Sequence, residues 1–312
     1  MDKRKIIIHN PCNEKTKNYR NYNQFWDDLT LELQKKYDVI ENRYYEFAHI
    51  NRLEVDLIKQ TSPKGDFILY ECEYVIEFED TGDLYVLSVC DDLSNATLNE
   101  QSNPHLKKVL ISQFIQDKID HHTKENSQKY FPWIYFPSTI DDMSIFYDIR
   151  QNSNSFIDKM YFRGSGIEDR PIVTYINSDY LEGYYPIGGT LTYFKDLIKY
   201  KIGLSIGGRG ELCYRDIEYM AMGIPFIRFE YETILNPPLI PNYHYISIER
   251  PKNMTLDRLG TIEHAKLIEN KFLQIKDDYN FLNYISNNAK TYYERYLKRY
   301  NNVNHTLQLL GI

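Results

Sequence analysis

Residues 201–229, KIGLSIGGRGELCYRDIEYMAMGIPFIRF, hold an apolar run, a glycine-rich loop, a helix-like segment and a second apolar run. The runs KIGLSIGG and IPFIRFE are short, rich in Ile and Phe and bounded by glycine or proline, so they predict buried strands. Between them, Cys213, Ile217, Met220, Ala221 and Ile224 recur at i, i+4, i+7, i+8 and i+11 of a helix taken to start at Glu211. That spacing makes one apolar stripe, which faces a core. Strand, loop, helix and strand in this order predict an α/β layer.

The same rhythm extends outward. YHYISIE (243–249) reads as the next strand, KMYFRGSG (159–166) as a strand and loop, and LTYFKDLIKY (191–200) as a helix. In the first half, KIIIHN (5–10) is a short buried strand, and NQFWDDLTLELQKKY (23–37) carries Phe25, Leu29, Leu33 and Tyr37 at near-helical spacing. DVIENRYY, FILYECEYVIEFED and LYVLSVCDD supply further strands, while PHLKKVLISQFIQDKI leaves strand and helix both open. The polar stretch DIRQNSNSFIDK (148–159) reads as a linker, which divides the chain into domains 1–150 and 151–312. From Asp277 to Gly311 the sequence is helical by periodicity and lacks proline, so it is expected to pack back across both domains.

Composition narrows the function. A chain of 312 residues has room for two domains of about 150 residues each. With 42% hydrophobic and 26% charged residues it can bury a core and is not a disordered chain. A net charge of -7 argues against a protein that holds nucleic acid by neutralising phosphates. Cys12, Cys72, Cys90 and Cys213 lie far apart without a C-x-x-C pair, which fits a reducing compartment better than a disulfide framework or a structural zinc. Ile6, Ile7 and Ile8 are too short a run for a signal peptide and no segment reaches a membrane span, so a soluble intracellular (cytoplasmic) protein is expected. The Asn-x-Thr sequons at Asn95, Asn253 and Asn304 read as chance in an Asn-rich chain.

The loop and helix at 207–225 carry the chemistry. Gly207, Gly208 and Gly210 let a ligand approach the backbone, and the first N–H groups of the helix favour an anion such as a diphosphate. Glu211, Arg215 and Glu218 fall at i, i+4 and i+7, on a face away from the apolar stripe. Arg209 or Arg215 would add a forked contact to phosphate, and Glu218 would accept hydrogen bonds from a ribose diol. Glu211 and Arg215 also fit an ordinary i,i+4 ion pair on a solvated face. GGRG is neither a G-x-G-x-x-G fingerprint nor a P-loop, so a dehydrogenase or a Walker-type NTPase is poorly supported.

This stretch resembles the donor-binding motif of GT-B glycosyltransferases, particularly the exostosin-like and CAP10-like groups. Cys213, Arg215, Glu218, Gly223 and Pro225 occupy the places of its S/C-x-R-x-x-E-x-x-x-x-G-x-P pattern, with Cys213 where serine is usual. Phe162, Arg163, Gly164 and Arg170 look like the F-x-G…R strand and loop that opens the C-terminal domain in those groups. The resemblance covers roughly residues 158–250. It implies two Rossmann-like α/β domains with a cleft between them and a C-terminal helix packing back. It further implies a C-terminal domain that binds a nucleotide-sugar donor, UDP-sugar by family frequency, and an N-terminal domain that binds a glycan or glycoconjugate acceptor. Metal-dependent GT-A transferases hold their cation through Asp-x-Asp, which this sequence lacks, so no metal cofactor is expected and Arg163, Arg209 and Arg215 would balance the phosphates.

An inverting transfer needs a base for the acceptor hydroxyl. Asp91 and Asp92 end the run LYVLSVCDD, where α/β sheets place ligands, although an Asp there also caps turns. His9 ends the first strand with Asn10 and is the second candidate, against the commoner structural role of a lone histidine. His121 and His122 read as surface. Tyr184 and Tyr185 could rim a sugar site, or simply pack, and Arg228 and Glu230 could reach the site or pair locally. Two other classes share these features: a nucleotide-sugar 2-epimerase, which needs no acceptor, and a non-catalytic glycan or nucleotide-sugar binding module.

Overall fold

The computed structural model describes residues 3–10, 22–43, 57–60, 67–70, 73–89, 103–116, 119–120, 124–134, 143–164, 170–182, 190–207, 211–251 and 258–312. The chain forms two compact α/β units. The first comprises Met1–Thr139, Thr233–Pro237 and Arg299–Ile312, the second Ile140–Glu232 and Pro238–Lys298. Among the described residues, no helix is long and apolar enough to cross a membrane.

The first unit is built on six strands, β1 (Lys5–Asn10), β2 (Asp38–Arg43), β5 (Glu73–Phe78), β6 (Leu84–Ser88), β7 (Leu106–Ile111) and β8 (Tyr130–Pro132). Their order is β2-β1-β5-β6-β7-β8, and β3 (Leu57–Gln60) and β4 (Phe67–Tyr70) make a separate antiparallel pair. FILYECEYVIEFED holds two strands, and the open choice at the centre of 104–119 resolves to a strand, Leu106–Ile111. Strand β5 runs antiparallel to both β1 and β6, because a turn through Gly82 (φ 73°) folds it directly back into β6. The carboxyl ends of β1, β6 and β7 therefore still share one edge.

Helix α1 (Tyr22–Lys36) buries Phe25, Trp26, Leu29 and Leu33 against Ile6, Ile8 and Tyr74. Trp26 stacks on Tyr74 at 4.8 Å. The final helix, Arg299–Leu310, returns to this unit: Val303 and Leu310 enter the same core, and Trp133 Nε1 donates to Thr306 Oγ1 at 3.0 Å.

The second unit has a fully parallel sheet of β9 (Ile157–Tyr161), β10 (Leu181–Glu182), β11 (Tyr200–Leu204), β12 (Phe226–Phe229) and β13 (Ile246–Ile248). The order β10-β9-β11-β12-β13 is the 2-1-3-4-5 arrangement of doubly wound folds. The helices are α2 (Ser144–Gln151), α3 (Thr190–Leu197), α4 (Tyr214–Ala221), α5 (Arg258–Ile275) and α6 (Tyr279–Tyr292), which leaves α7 as the name of Arg299–Leu310. The expected linker at 148–159 holds the end of α2 and the start of β9, so only a short polar turn separates them. Arg150 anchors that turn by donating to the carbonyls of Ile198, Tyr200 and Lys201.

Helix α4 has defined ends. Asp216, its third residue, accepts from the Cys213 N–H at 3.1 Å and so caps the first turn. At the other end, Ile224 N–H bonds Tyr219 O and Gly223 N–H bonds Met220 O, a Schellman closure that needs the left-handed Gly223 (φ 62°). Ile217, Met220, Ala221 and Ile224 are buried, as the apolar stripe predicts.

Candidate nucleotide-binding site

In a 2-1-3-4-5 sheet the strand order reverses between the first and third strands, and loops diverge there to leave a crevice at the carboxyl edge. Here that point lies between β9 and β11. Tyr219 marks it: its hydroxyl lies 3.0 Å from Tyr161 O and 3.0 Å from Leu204 O, the last residues of the two strands. The ring passes so close to β11 that a Cβ on Gly203 would meet it at 2.7 Å. One tyrosine thus pins α4 over the reversal point, and Arg215 and Glu218 come with it.

Arg215 sits in the first turn of α4 and is 7% exposed. Its Nε donates to Arg163 O at 2.9 Å and Nη2 reaches the same oxygen, while the guanidinium lies 4.4 Å from the Phe162 ring centroid. These contacts fix the loop after β9. The third nitrogen, Nη1, is buried and has no hydrogen-bond partner among the described residues. A buried charged donor left in this state is costly, and an anionic ligand would relieve it.

Glu218 lies one turn further along and is partly buried. Its Oε2 accepts from the Tyr193 hydroxyl at 2.9 Å. Burial pushes its carboxyl up to about 7, against the opposing pull of the Tyr193 hydrogen bond and the Arg215 charge. The Tyr193 phenol is held protonated, by burial first and then by the Glu218 charge. Arg163 places its guanidinium 5.6 Å from the Tyr193 ring centroid, and Tyr161 lies on the same ring at 6.4 Å. Two guanidiniums, a carboxylate and aromatic faces therefore gather at one point of the sheet edge. Such a set can hold a diphosphate at one end and a diol at the other.

Glu211 belongs to a different arrangement. The helix begins at Tyr214 rather than at Glu211, since the Asp216 cap sets its start, and the i,i+4 pair with Arg215 does not form. Glu211 instead pairs with Arg250 Nη2 at 2.8 and 2.9 Å, and its carbonyl accepts from Arg228 Nη1 and Nη2 at 3.3 Å each. Arg228 is turned inward, 2.5 Å from Asp216 Oδ2, so of the two alternatives for this residue the local pair is the one observed. Asp216, absent from the sequence-derived candidates, is the hub at the start of α4. It accepts from Ser205 Oγ, Arg228 and the Tyr231 hydroxyl as well as from Cys213 N–H. The spacing Cys213-x-x-Asp216 was a capping signal in plain view. Tyr193 had no such signal.

Gly207 lies three residues past the end of β11 and is partly exposed; Gly208, Arg209 and Gly210 lie outside the described residues. So do Asp91, Asp92, His121, His122, Tyr184 and Tyr185. In the first unit, His9 is buried at the carboxyl end of β1 with its Nε2 3.1 Å from Glu77 Oε2. Asn10 next to it donates to Glu41 Oε1 at 2.8 Å, and Glu73, Ser88 and Ser112 are buried along the same edge.

No known protein family and no curated protein matches this sequence. The solved structures similar to it include two glycosyltransferases. A glycosyltransferase from Rickettsia africae ESF-5 aligns with a TM-score of 0.44 and 13% identity, covering 70% of this chain and 67% of its own. The pneumococcal O-GlcNAc transferase GtfA, solved in complex with UDP and GlcNAc, aligns with a TM-score of 0.41 and 13% identity over 72% of this chain. The match takes in 49% of the pneumococcal protein, so this chain spans about half of its length.

Proposed function

We propose that this protein is a glycosyltransferase of the exostosin-like or CAP10-like kind, which moves a sugar from a nucleoside-diphosphate sugar, UDP-sugar foremost, to a hydroxyl of a glycan or glycoconjugate. The observation that carries the reading is Arg215: a buried guanidinium with an unpartnered nitrogen at the reversal point of a parallel sheet, beside Arg163 and Glu218. Ligands of doubly wound sheets bind at that point.

In this reading Arg215 and Arg163 hold the diphosphate, and Glu218 accepts from the ribose hydroxyls. The acceptor oxygen attacks the anomeric carbon, the bond from that carbon to the phosphate oxygen breaks, and the nucleoside diphosphate leaves with the negative charge. His9, Asp91 or Asp92 takes the acceptor proton. A single displacement of this kind inverts the anomeric centre. Charge on the leaving diphosphate is stabilised by fixed guanidiniums and helix amides, with no metal required.

Calorimetric titration with UDP, GDP and several UDP-sugars, with and without Mg²⁺, tests the reading. Selective, metal-independent binding in the wild type that Arg215→Ala abolishes is the expected result. Absence of nucleotide binding under every condition would sink the assignment.

A further inference from the structure

Among the described residues, Tyr193 is the side chain that touches both charged ends of the candidate site. It projects from α3, whose Phe194 and Leu197 are fully buried and anchor the helix on the unit's core. Its hydroxyl is 2.9 Å from Glu218 Oε2, and its ring lies 5.6 Å below the Arg163 guanidinium, with Tyr161 behind it.

We propose that Tyr193 is the positioning residue of this site, its hydroxyl orienting the Glu218 carboxylate and its ring face seating the Arg163 guanidinium, so that the diol end and the phosphate end of one ligand are set by a single side chain. The inference rests on the nucleotide reading for the identity of the ligand, while the orienting contact itself stands on the geometry.

Each half has a physical cause. A free Glu side chain samples several rotamers, and a protonated phenol at hydrogen-bond distance selects one. A guanidinium over an aromatic face is attracted by the ring quadrupole, a contact made through the π-face rather than through its N–H donors. Tyr193 links α3 to Glu218 of α4 through its hydroxyl and to Arg163 after β9 through its ring.

Among the described residues, the charged and titratable groups acting on Glu218 are Tyr193 from α3 and Arg215, Asp216 and Tyr219 from its own helix, with Arg163 on the far side of the Tyr193 ring. Of these, Tyr193 and Arg215 favour the ionised carboxylate and Asp216 opposes it. Removing the hydroxyl alone therefore moves the titration of Glu218 upward. A role confined to packing would leave that titration where it is.

Tyr193→Phe keeps the ring and deletes the hydroxyl. The primary measurement is carbon-13 NMR of labelled glutamate carboxyls across pH 5 to 9, with the Glu218 resonance identified by its loss in Glu218→Gln. The expected result is a midpoint in Tyr193→Phe displaced upward from that of the wild type. An unmoved midpoint overturns the proposal, whether or not any nucleotide binds.

The second measurement is UDP affinity at pH 7, where Tyr193→Phe is expected to bind about tenfold more weakly. In the Glu218→Gln background the same substitution is expected to add nothing. Full additivity of the two substitutions would overturn the orienting role. A wild type that titrates as expected but ignores UDP would sink the nucleotide reading and leave the Tyr193 contact standing.

Discussion

Asp216 and Arg228 meet at 2.5 Å with 0% and 2% of their side chains exposed. The pair ties the start of α4 to β12, and Ser205 and Tyr231 complete the shell around the carboxylate. Arg228 also holds the Glu211 carbonyl, and Arg250 holds the Glu211 carboxylate. Glu211, three residues ahead of α4, is therefore clamped at both its backbone and its side chain.

Removing one partner of such a pair strands the other charge. Arg228→Leu is expected to destabilise the protein by about 3–5 kcal/mol, read as a lowered urea midpoint. The double variant Arg228→Leu/Asp216→Leu should lose less than the sum of the two singles. A single-variant loss under about 1 kcal/mol would mean that the pair behaves as a solvated one.

Gly223 tests the far end of the same helix. At φ 62° an added Cβ is strained by about 1–2 kcal/mol, and it would also meet the Tyr147 ring at 2.7 Å. Gly223→Ala should lower the melting temperature, and adding Tyr147→Ala should relieve only the crowding part. Complete recovery in the double variant would show that the backbone conformation costs nothing.

These two ends explain how far the sequence could be read. The alternation of strands and helices is written locally, in runs such as KIGLSI and in the stripe of Ile217, Met220, Ala221 and Ile224, so the α/β class was legible. Arg215 and Glu218 share a helix face by spacing alone, and they do meet at the sheet edge. The helix start was misplaced because Glu211 suits a first turn by charge, whereas the cap three residues before Asp216 decides it. Tyr193 and Tyr219 reach their partners across the sheet, and the partner of a tyrosine hydroxyl leaves no mark in the order of residues. The antiparallel β5 escaped for the same reason, since a strand's direction is set by the turn and not by its own composition.

Glu218 predicts a pH dependence that needs no ligand. Its carboxyl is raised from 4.5 to about 7 in the folded chain, so folding favours its protonated form. Its contribution to stability is fully present below pH 4.5 and is lost as pH rises through about 7. Glu218→Gln removes this loss, so relative to the wild type the variant should gain stability between pH 5 and pH 8. Parallel urea midpoints for the two proteins across that range would contradict the burial of this carboxyl.

The returning helix offers the last test. Arg299 pairs with Asp28 at 2.5 and 2.9 Å, Asn302 donates to Ile134 O at 3.0 Å, and Val303 and Leu310 join the core that holds Trp26 and Trp133. A segment that far along the chain therefore completes the first unit, and α7 belongs to its core rather than to a detachable tail. Deleting Arg299–Ile312 should expose Trp133, shift its fluorescence to longer wavelength and increase binding of a hydrophobic dye. The gentler Thr306→Val keeps the helix but removes the hydroxyl that accepts from buried Trp133 Nε1, at a cost of about 1–3 kcal/mol. If the truncated protein kept native tryptophan fluorescence and an unchanged urea midpoint, α7 would not be part of that core.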